Sequence, residues 1–370
     1  MRLIAAIAVV GLIAAIAQPA SADMADDCEQ SRDQDLSIGG CTAVIRSGEF
    51  SGRNLAIAYS NRGSAYYNLG ENRRAIEDFD QALRIDPGFA IAYSNRGLAY
   101  NNLGEHRRAI EDYDQAIRID PGLAAAYNNR GVAYERLGEY HRAIEDYDQA
   151  LRIDPGLADA YNNRGLANKG LGEYRRAIED YDQAIRLDPG YADAYNNRGA
   201  AYYKLGEHRR AIEDYDQALR IDPGDAIAYN NRGVAYGNLG EYRRAIEDYD
   251  QALRFDPGSA YAYNGRAMVL YTMGRNAEAL GDVVRALSLA PDDAATINTR
   301  AHVLAALGRS REALAEFERA MQISGANRVR KYQEALAGHG YYRGAIDGAY
   351  GPNTRAALVA CLDAGCRLLE

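Results

Sequence analysis

The chain has 370 residues, with 43 Lys and Arg against 52 Asp and Glu and a formal charge of −9. So evenly acidic a chain offers no basic face to follow a phosphate backbone, which excludes nucleic acid as a partner. Only three lysines occur (Lys169, Lys204, Lys331), so nearly all the positive charge is Arg, the residue suited to fixed bidentate pairs.

Residues 1–22 read as a secretory signal peptide. Arg2 precedes an apolar run from Leu3 to Ala17, and Ala20-Ser21-Ala22 forms a small-residue cleavage site. The run is short for a membrane span, which needs about 20 residues; an uncleaved anchor is the alternative. Nothing before Cys28 suits lipidation. The expected location is therefore periplasmic or secreted, with no membrane partner once the signal is removed.

From Ala56 one sentence repeats every 34 residues, opening at Ala56, Ala90, Ala124, Ala158, Ala192, Ala226, Ala260 and Ala294, so eight units fill residues 56–327. In repeat two, Tyr93, Gly97 and Tyr100 recur at helical spacing, and Ala109, Tyr113 and Ala116 do so again after Leu103-Gly104-Glu105. Gly104 is expected to end a first helix and Asp120-Pro121-Gly122 a second, with Gly in a left-handed turn. One such pair cannot bury its own apolar face, so stability must come from stacking on the neighbours.

The columns Tyr93, Gly97, Tyr100, Ala109, Tyr113, Ala116 and Pro121 resemble the tetratricopeptide repeat signature. The resemblance implies an all-α fold: a right-handed superhelical solenoid of helix-turn-helix repeats. Two departures stand out. Every repeat has Arg where that family usually has Leu (Arg62, Arg96, Arg130 and onward), and Asn168 replaces the second Tyr in repeat four. Repeats seven and eight drift, as units near an end do.

Residues 23–55 read as a degenerate leading repeat. Sliding Ser37–Arg46 onto Ala109–Arg118 puts Cys41 under Tyr113 and Cys28 under Tyr100. These columns should face each other, so Cys28 and Cys41 are candidates for a bridge; two buried thiols are the alternative.

Asn61, Asn95, Asn129, Asn163, Asn197 and Asn231 stand immediately before the recurrent Arg, and Asn128, Asn162, Asn196 and Asn230 precede them in four repeats. An amide both donates and accepts. In the resembled family, first helices line the concave face, so a ladder of amides would grip the backbone of an extended protein segment. Alternatively, these amides bond within the helix stack. Asp80, Asp114 and their equivalents are natural partners for the Arg column. Glu111-Asp112, with Arg107-Arg108, reads as an exposed charged face, and His106, His141 and His208 as solvated.

The period breaks at Ser324-Gly325-Ala326-Asn327. Residues 328–370 read as a short helix from Arg328 to Ala337, a turn-rich run, and a second helix from about Asn353 to Leu362. Gln333, Leu336, Gly340, Tyr341, Gly344, Asp347, Gly348, Gly351, Thr354 and Ala357 resemble the small three-helix peptidoglycan-binding module of cell-wall enzymes. The resemblance implies a groove for glycan or stem peptide, with Gln333, Tyr341, Asp347, Gly348, Tyr350, Gly351 and Thr354 as its residues. Asp347-Gly348 and Thr354 themselves read as turn and cap. Cys361 and Cys366 stand where that module has core side chains, and a bridge between them is the favoured pairing.

The sequence contains no catalytic constellation, no metal-ligand spacing and no cofactor motif. Its repeated carboxylates are alike in every unit, which suits ion pairs rather than one tuned acid and base. The expected function is an exported, non-catalytic scaffold that holds a protein segment and docks on peptidoglycan. A purely structural or self-assembling array with a vestigial C-terminal module is the alternative.

Overall fold

A computed structural model describes residues 19–29, 32–366 and 368. The apolar run of the expected signal peptide lies outside the described residues. Regular structure among those described is entirely helical. Helices α1 (Pro19–Cys28) and α2 (Gln34–Ser47) lead. The repeats follow as α3 (Gly52–Asn68) and α4 (Asn72–Ile85), α5 (Ala90–Asn102) and α6 (His106–Ile119), α7 (Ala124–Arg136) and α8 (Tyr140–Ile153), and α9 (Ala158–Gly170) and α10 (Tyr174–Leu187). Then come α11 (Ala192–Lys204) and α12 (His208–Ile221), α13 (Ala226–Asn238) and α14 (Tyr242–Phe255), α15 (Ala260–Thr272) and α16 (Asn276–Leu289), and α17 (Ala294–Ala306) and α18 (Ser310–Ser324). Helices α19 (Ala326–Gly338) and α20 (Pro352–Asp363) close the chain. It divides into two compact units, Met1–Ala201 and Tyr202–Glu370.

Each first helix ends as its sequence dictates. Leu103 N–H reaches back to Ala99, and Gly104 at φ +78° supplies the left-handed turn into α6. The second helix ends differently from expectation, because Gly122 does not take positive φ. Asp120 closes that turn, its Oδ1 accepting from the Gly122 N–H at 3.0 Å.

The apolar columns pack as expected. Ala109, Tyr113 and Ala116 are fully buried, and a Cβ on Gly97 would come within 2.8 Å of the Tyr113 ring, so the glycine lets two helices of a repeat close up. Burying each such aromatic contributes about 1.5–3 kcal/mol.

The Arg column is an internal brace. Arg96 places Nε and Nη2 on Asp112 at 2.8 and 2.6 Å, and Nη1 on Asp80 of the preceding repeat at 2.5 Å. Arg130, Arg232 and Arg266 repeat the pattern. The pairing with Asp80 and its equivalents thus stands, but a second carboxylate was hidden. Asp112, expected on an exposed face, is buried, as are Asp78, Asp146, Asp180 and Asp248. Burial raises the pKa of Asp112, Asp146, Asp180 and Asp248, and the hydrogen bonds from their Arg partners oppose it. Two of the three histidines expected to be solvated are also half-buried. His106 Nδ1 lies 2.5 Å from Asn101 Oδ1, and the His208 ring packs on Tyr203; His141 is exposed.

The leading hairpin works as a cap. Cys28 is disulfide-bonded to Cys41, and both are fully buried with Val44 against Ala56 and Ile57. Arg62, in the first full repeat, meets Thr42 where later repeats find the Asp of the repeat before, and its Nη1 bonds Thr42 Oγ1 at 3.1 Å. Helix α1 begins at Pro19 and α3 at Gly52, each ahead of the expected boundary at 23 and 56.

At the other end, the described part of the terminal module contributes two helices, and α18 provides the third wall. Phe317 and Met321 of α18 share one core with Val329, Tyr332, Leu336, Leu358 and Leu362. The Phe317 and Tyr332 rings meet edge to face at 5.4 Å. Cys361 is bonded to Cys366 just past the end of α20.

Candidate functional site

The amide ladder is structural where its side chains are buried. Asn61, Asn95, Asn128, Asn129, Asn162, Asn163 and Asn230 are all buried, with Asn128 and Asn163 at 0% exposure. Such groups cannot reach a ligand, so the groove role expected for them is corrected. Their hydrogen bonds run from one repeat to the one before: Asn163 Nδ2 to Asn128 Oδ1 at 3.2 Å, and Asn197 Nδ2 to Asn162 Oδ1 at 3.1 Å. In repeat two, where Ser60 takes the earlier position, Asn95 Nδ2 turns to Ser64 Oγ at 3.4 Å. Asn196, Asn197 and Asn231 are half-buried.

What the first helices do expose lies one and two turns further on. In the first unit α3, α5, α7 and α9 touch one another in succession, which makes them the inner wall of that unit's stack. Asn68, Asn102 and Arg136 are exposed there, and Tyr67, Glu135 and Lys169 half-exposed. Tyr147 Oη donates to Glu135 at 3.2 Å, and burial pushes the Glu135 carboxyl up to about 7, against the nearby cations Arg136 and Lys169. In the second unit the equivalent column carries the exposed Lys204, Asn238 and Thr272, joined by Ile227 and Tyr261, each 65% exposed, and Met268 at 44%. The sequence did carry a signal for these positions. They include a column that differs between otherwise near-identical repeats: Asn68, Asn102, Arg136, Gly170, Lys204 and Asn238 occupy it.

In the terminal module most expected binding residues build the turn. Gln333 is fully buried; its Nε2 donates to Asp347 at 2.8 Å and Ala349 O at 3.1 Å, and the Tyr342 and Thr354 hydroxyls lie 3.2 and 3.3 Å from it. Its Oε1 accepts from the Gly348 N–H at 2.9 Å. The hydrogen bond from Gln333 lowers the pKa of Asp347. Gly348 has φ +75°, and a Cβ there would stand 2.8 Å from Ala326 O, so only glycine fits. Gly351 precedes α20 as its N-cap, and Thr354 is buried beneath it. Tyr350 Oη bonds Glu318 of α18 at 2.5 Å, tying the turn to the last repeat. Only Tyr341 of that set faces an open groove, of about 480 Å³, which it lines with Arg343, Gly344, Asn353, Ala356 and Ala360.

Profiles described as tetratricopeptide repeat match residues 60–124, 124–157, 192–225 and 226–259, and one described as TPR repeat matches 170–206, together just over half of the chain. The chain belongs to the tetratricopeptide repeat family. This tetratricopeptide repeat protein ends in a second matched region, residues 325–360, described as a putative peptidoglycan binding domain. Neither family is a catalytic one. Among solved structures it is similar to a tetratricopeptide repeat protein from Parabacteroides merdae, at 22% identity over 68% of this chain and 96% of that one, with a TM-score of 0.52. It is similar to PilF of Pseudomonas aeruginosa at 22% identity over 58% of this chain and 97% of that one, TM-score 0.52. MamA matches at 32% identity over 44% of this chain and 96% of MamA, TM-score 0.41. The first two share its solenoid fold. No curated protein matches significantly.

Proposed function

We propose that this protein is an exported, non-catalytic scaffold: the exposed face of its first helices holds an extended protein segment, and its terminal module docks on peptidoglycan in the cell envelope. The observation that carries the first part is the variation of side-chain chemistry along an exposed column of the first helices. One solvent-facing column of the first helices changes its chemistry from repeat to repeat, from Asn68 and Asn102 to Arg136, Gly170, Lys204, Asn238 and Thr272, whereas the buried column Ala92, Ala126, Ala160, Ala194, Ala228 and Ala262 is constant. A surface that only spaced two ends of a chain would have no reason to alternate neutral, cationic and small residues along one exposed column. The second part is supported by the matched domain at residues 325–360 and by the groove beside Tyr341 and Arg343. Two disulfides suit an oxidising compartment outside the cytoplasm. Among the described residues no helix is long and apolar enough to cross a membrane.

A photo-crosslinking residue tests the segment-binding surface. Placed at Arg136 it should capture a discrete protein species in living cells, and placed at Glu145, exposed on α8, it should not. Equal capture at both positions would contradict the reading.

A further inference from the structure

Repeats one, two, three and five share a second brace that repeat four lacks. In repeats one, two, three and five, the Arg guanidinium at the third position of the second helix lies 3.9 to 4.0 Å from the ring centre of the second Tyr of the first helix. The same Arg donates to that Tyr hydroxyl at 2.6 Å: Arg74 to Tyr66, Arg108 to Tyr100, Arg142 to Tyr134 and Arg210 to Tyr202. Repeat six keeps both residues, with Arg244 at 5.4 Å over Tyr236. In repeats seven and eight both partners change together, to Leu270 with Glu278 and to Leu304 with Glu312.

Repeat four alone breaks this rule. Asn168 replaces the Tyr, yet Arg176 is retained. The short Asn168 side chain turns inward to donate to Asp180 at 2.9 Å, and Arg176, 71% exposed, reaches only Glu173 at 4.0 Å. The vacated space is a cavity of about 350 Å³ in the seam between α8 and repeat four, lined by Ile144, Asp148, Arg164, Asn168, Leu171 and Arg176. Ile110, which corresponds to Ile144 one repeat earlier, packs in the cluster that holds Tyr134. The slot thus keeps the aliphatic floor and the guanidinium that its sisters use to hold a phenol, and lacks only the phenol.

We propose that this slot binds a para-hydroxyphenyl group, the side chain of a tyrosine presented by a partner protein. A ring there regains the cation–π contact and the apolar contact with Ile144, and its hydroxyl accepts from Arg176. The site opens beside a second helix rather than on the first-helix face, so it stands or falls independently of the reading given above.

The test uses the full-length protein and two capped tripeptides, Gly-Tyr-Gly and Gly-Phe-Gly, followed by NMR titration, with p-cresol as a third probe. The tyrosine peptide should bind with a dissociation constant in the millimolar range, and the phenylalanine peptide at least three-fold more weakly. Asn168→Tyr, which fills the slot from within, should weaken the tyrosine peptide at least ten-fold. Arg176→Ala, an exposed substitution that leaves folding intact, should weaken it at least three-fold. Equal binding of the two peptides, undiminished binding to either variant, or no binding of the tyrosine peptide by the wild-type protein would overturn the proposal. Binding of p-cresol without the tyrosine peptide would overturn the protein-borne source of the ring.

Discussion

Asn163 Nδ2 donates to Asn128 Oδ1 across 3.2 Å, from the first helix of one repeat to the first helix of the repeat before, and neither side chain reaches solvent. The amide ladder is therefore mortar between repeats. Replacing Asn163 by Ala removes a donor from a buried acceptor, which costs about 1–3 kcal/mol. Urea unfolding should show that loss, and the double replacement of Asn128 and Asn163 should cost less than the sum of the single ones. Unchanged stability with loss of partner capture would restore the amides to a ligand-binding role.

The two carboxylates on each Arg differ in weight. Asp146 is buried and takes two hydrogen bonds from Arg130, whereas Asp114 is 44% exposed and takes one. Asp146→Ala should cost roughly 2–5 kcal/mol, because it strands a partly buried guanidinium. Asp114→Ala should cost less than about 1 kcal/mol, as exposed pairs do. Thermal or urea unfolding of the two variants side by side checks the ranking.

The contrast between these two aspartates marks the limit of what the sequence discloses. Both recur every 34 residues, so period alone makes either a partner for Arg96 or Arg130. Which one is buried depends on the rotation of the second helix against the first, and that is a tertiary quantity. The same holds for asparagine: Asn95 and Asn102 are chemically alike, yet one is walled in by the preceding repeat and the other faces water. The cap was legible because Ser37–Arg46 keeps the register of a second helix, down to Thr42 in the Asp column. The wall that α18 lends to the terminal module was not, since nothing local to residues 328–370 names Phe317 as its neighbour.

His302 makes the second unit sensitive to acid. It is buried against Phe317 and Tyr271, and desolvation, aided by Arg328, lowers its pKa to about 4. The folded form thus binds a proton less readily than the unfolded chain, whose His titrates near 6.5. Stability from this group is complete above about pH 6.5 and falls by roughly 1.4 kcal/mol per unit as the pH drops toward 4. Between pH 6.5 and 5 the wild-type protein should lose about 2 kcal/mol more than His302→Leu, read from urea midpoints at the two pH values. Parallel losses in the two proteins would contradict the assignment.

Attachment of the array to the cell wall is the claim on which the account rests, and co-sedimentation with purified peptidoglycan sacculi measures it most directly. The full-length protein should pellet with sacculi. Arg343→Glu combined with Asn353→Ala, both exposed at the groove beside Tyr341, should leave the protein folded and reduce the pelleted fraction at least five-fold. Pelleting that survives these substitutions, or a wild-type protein that stays in the supernatant, would contradict it.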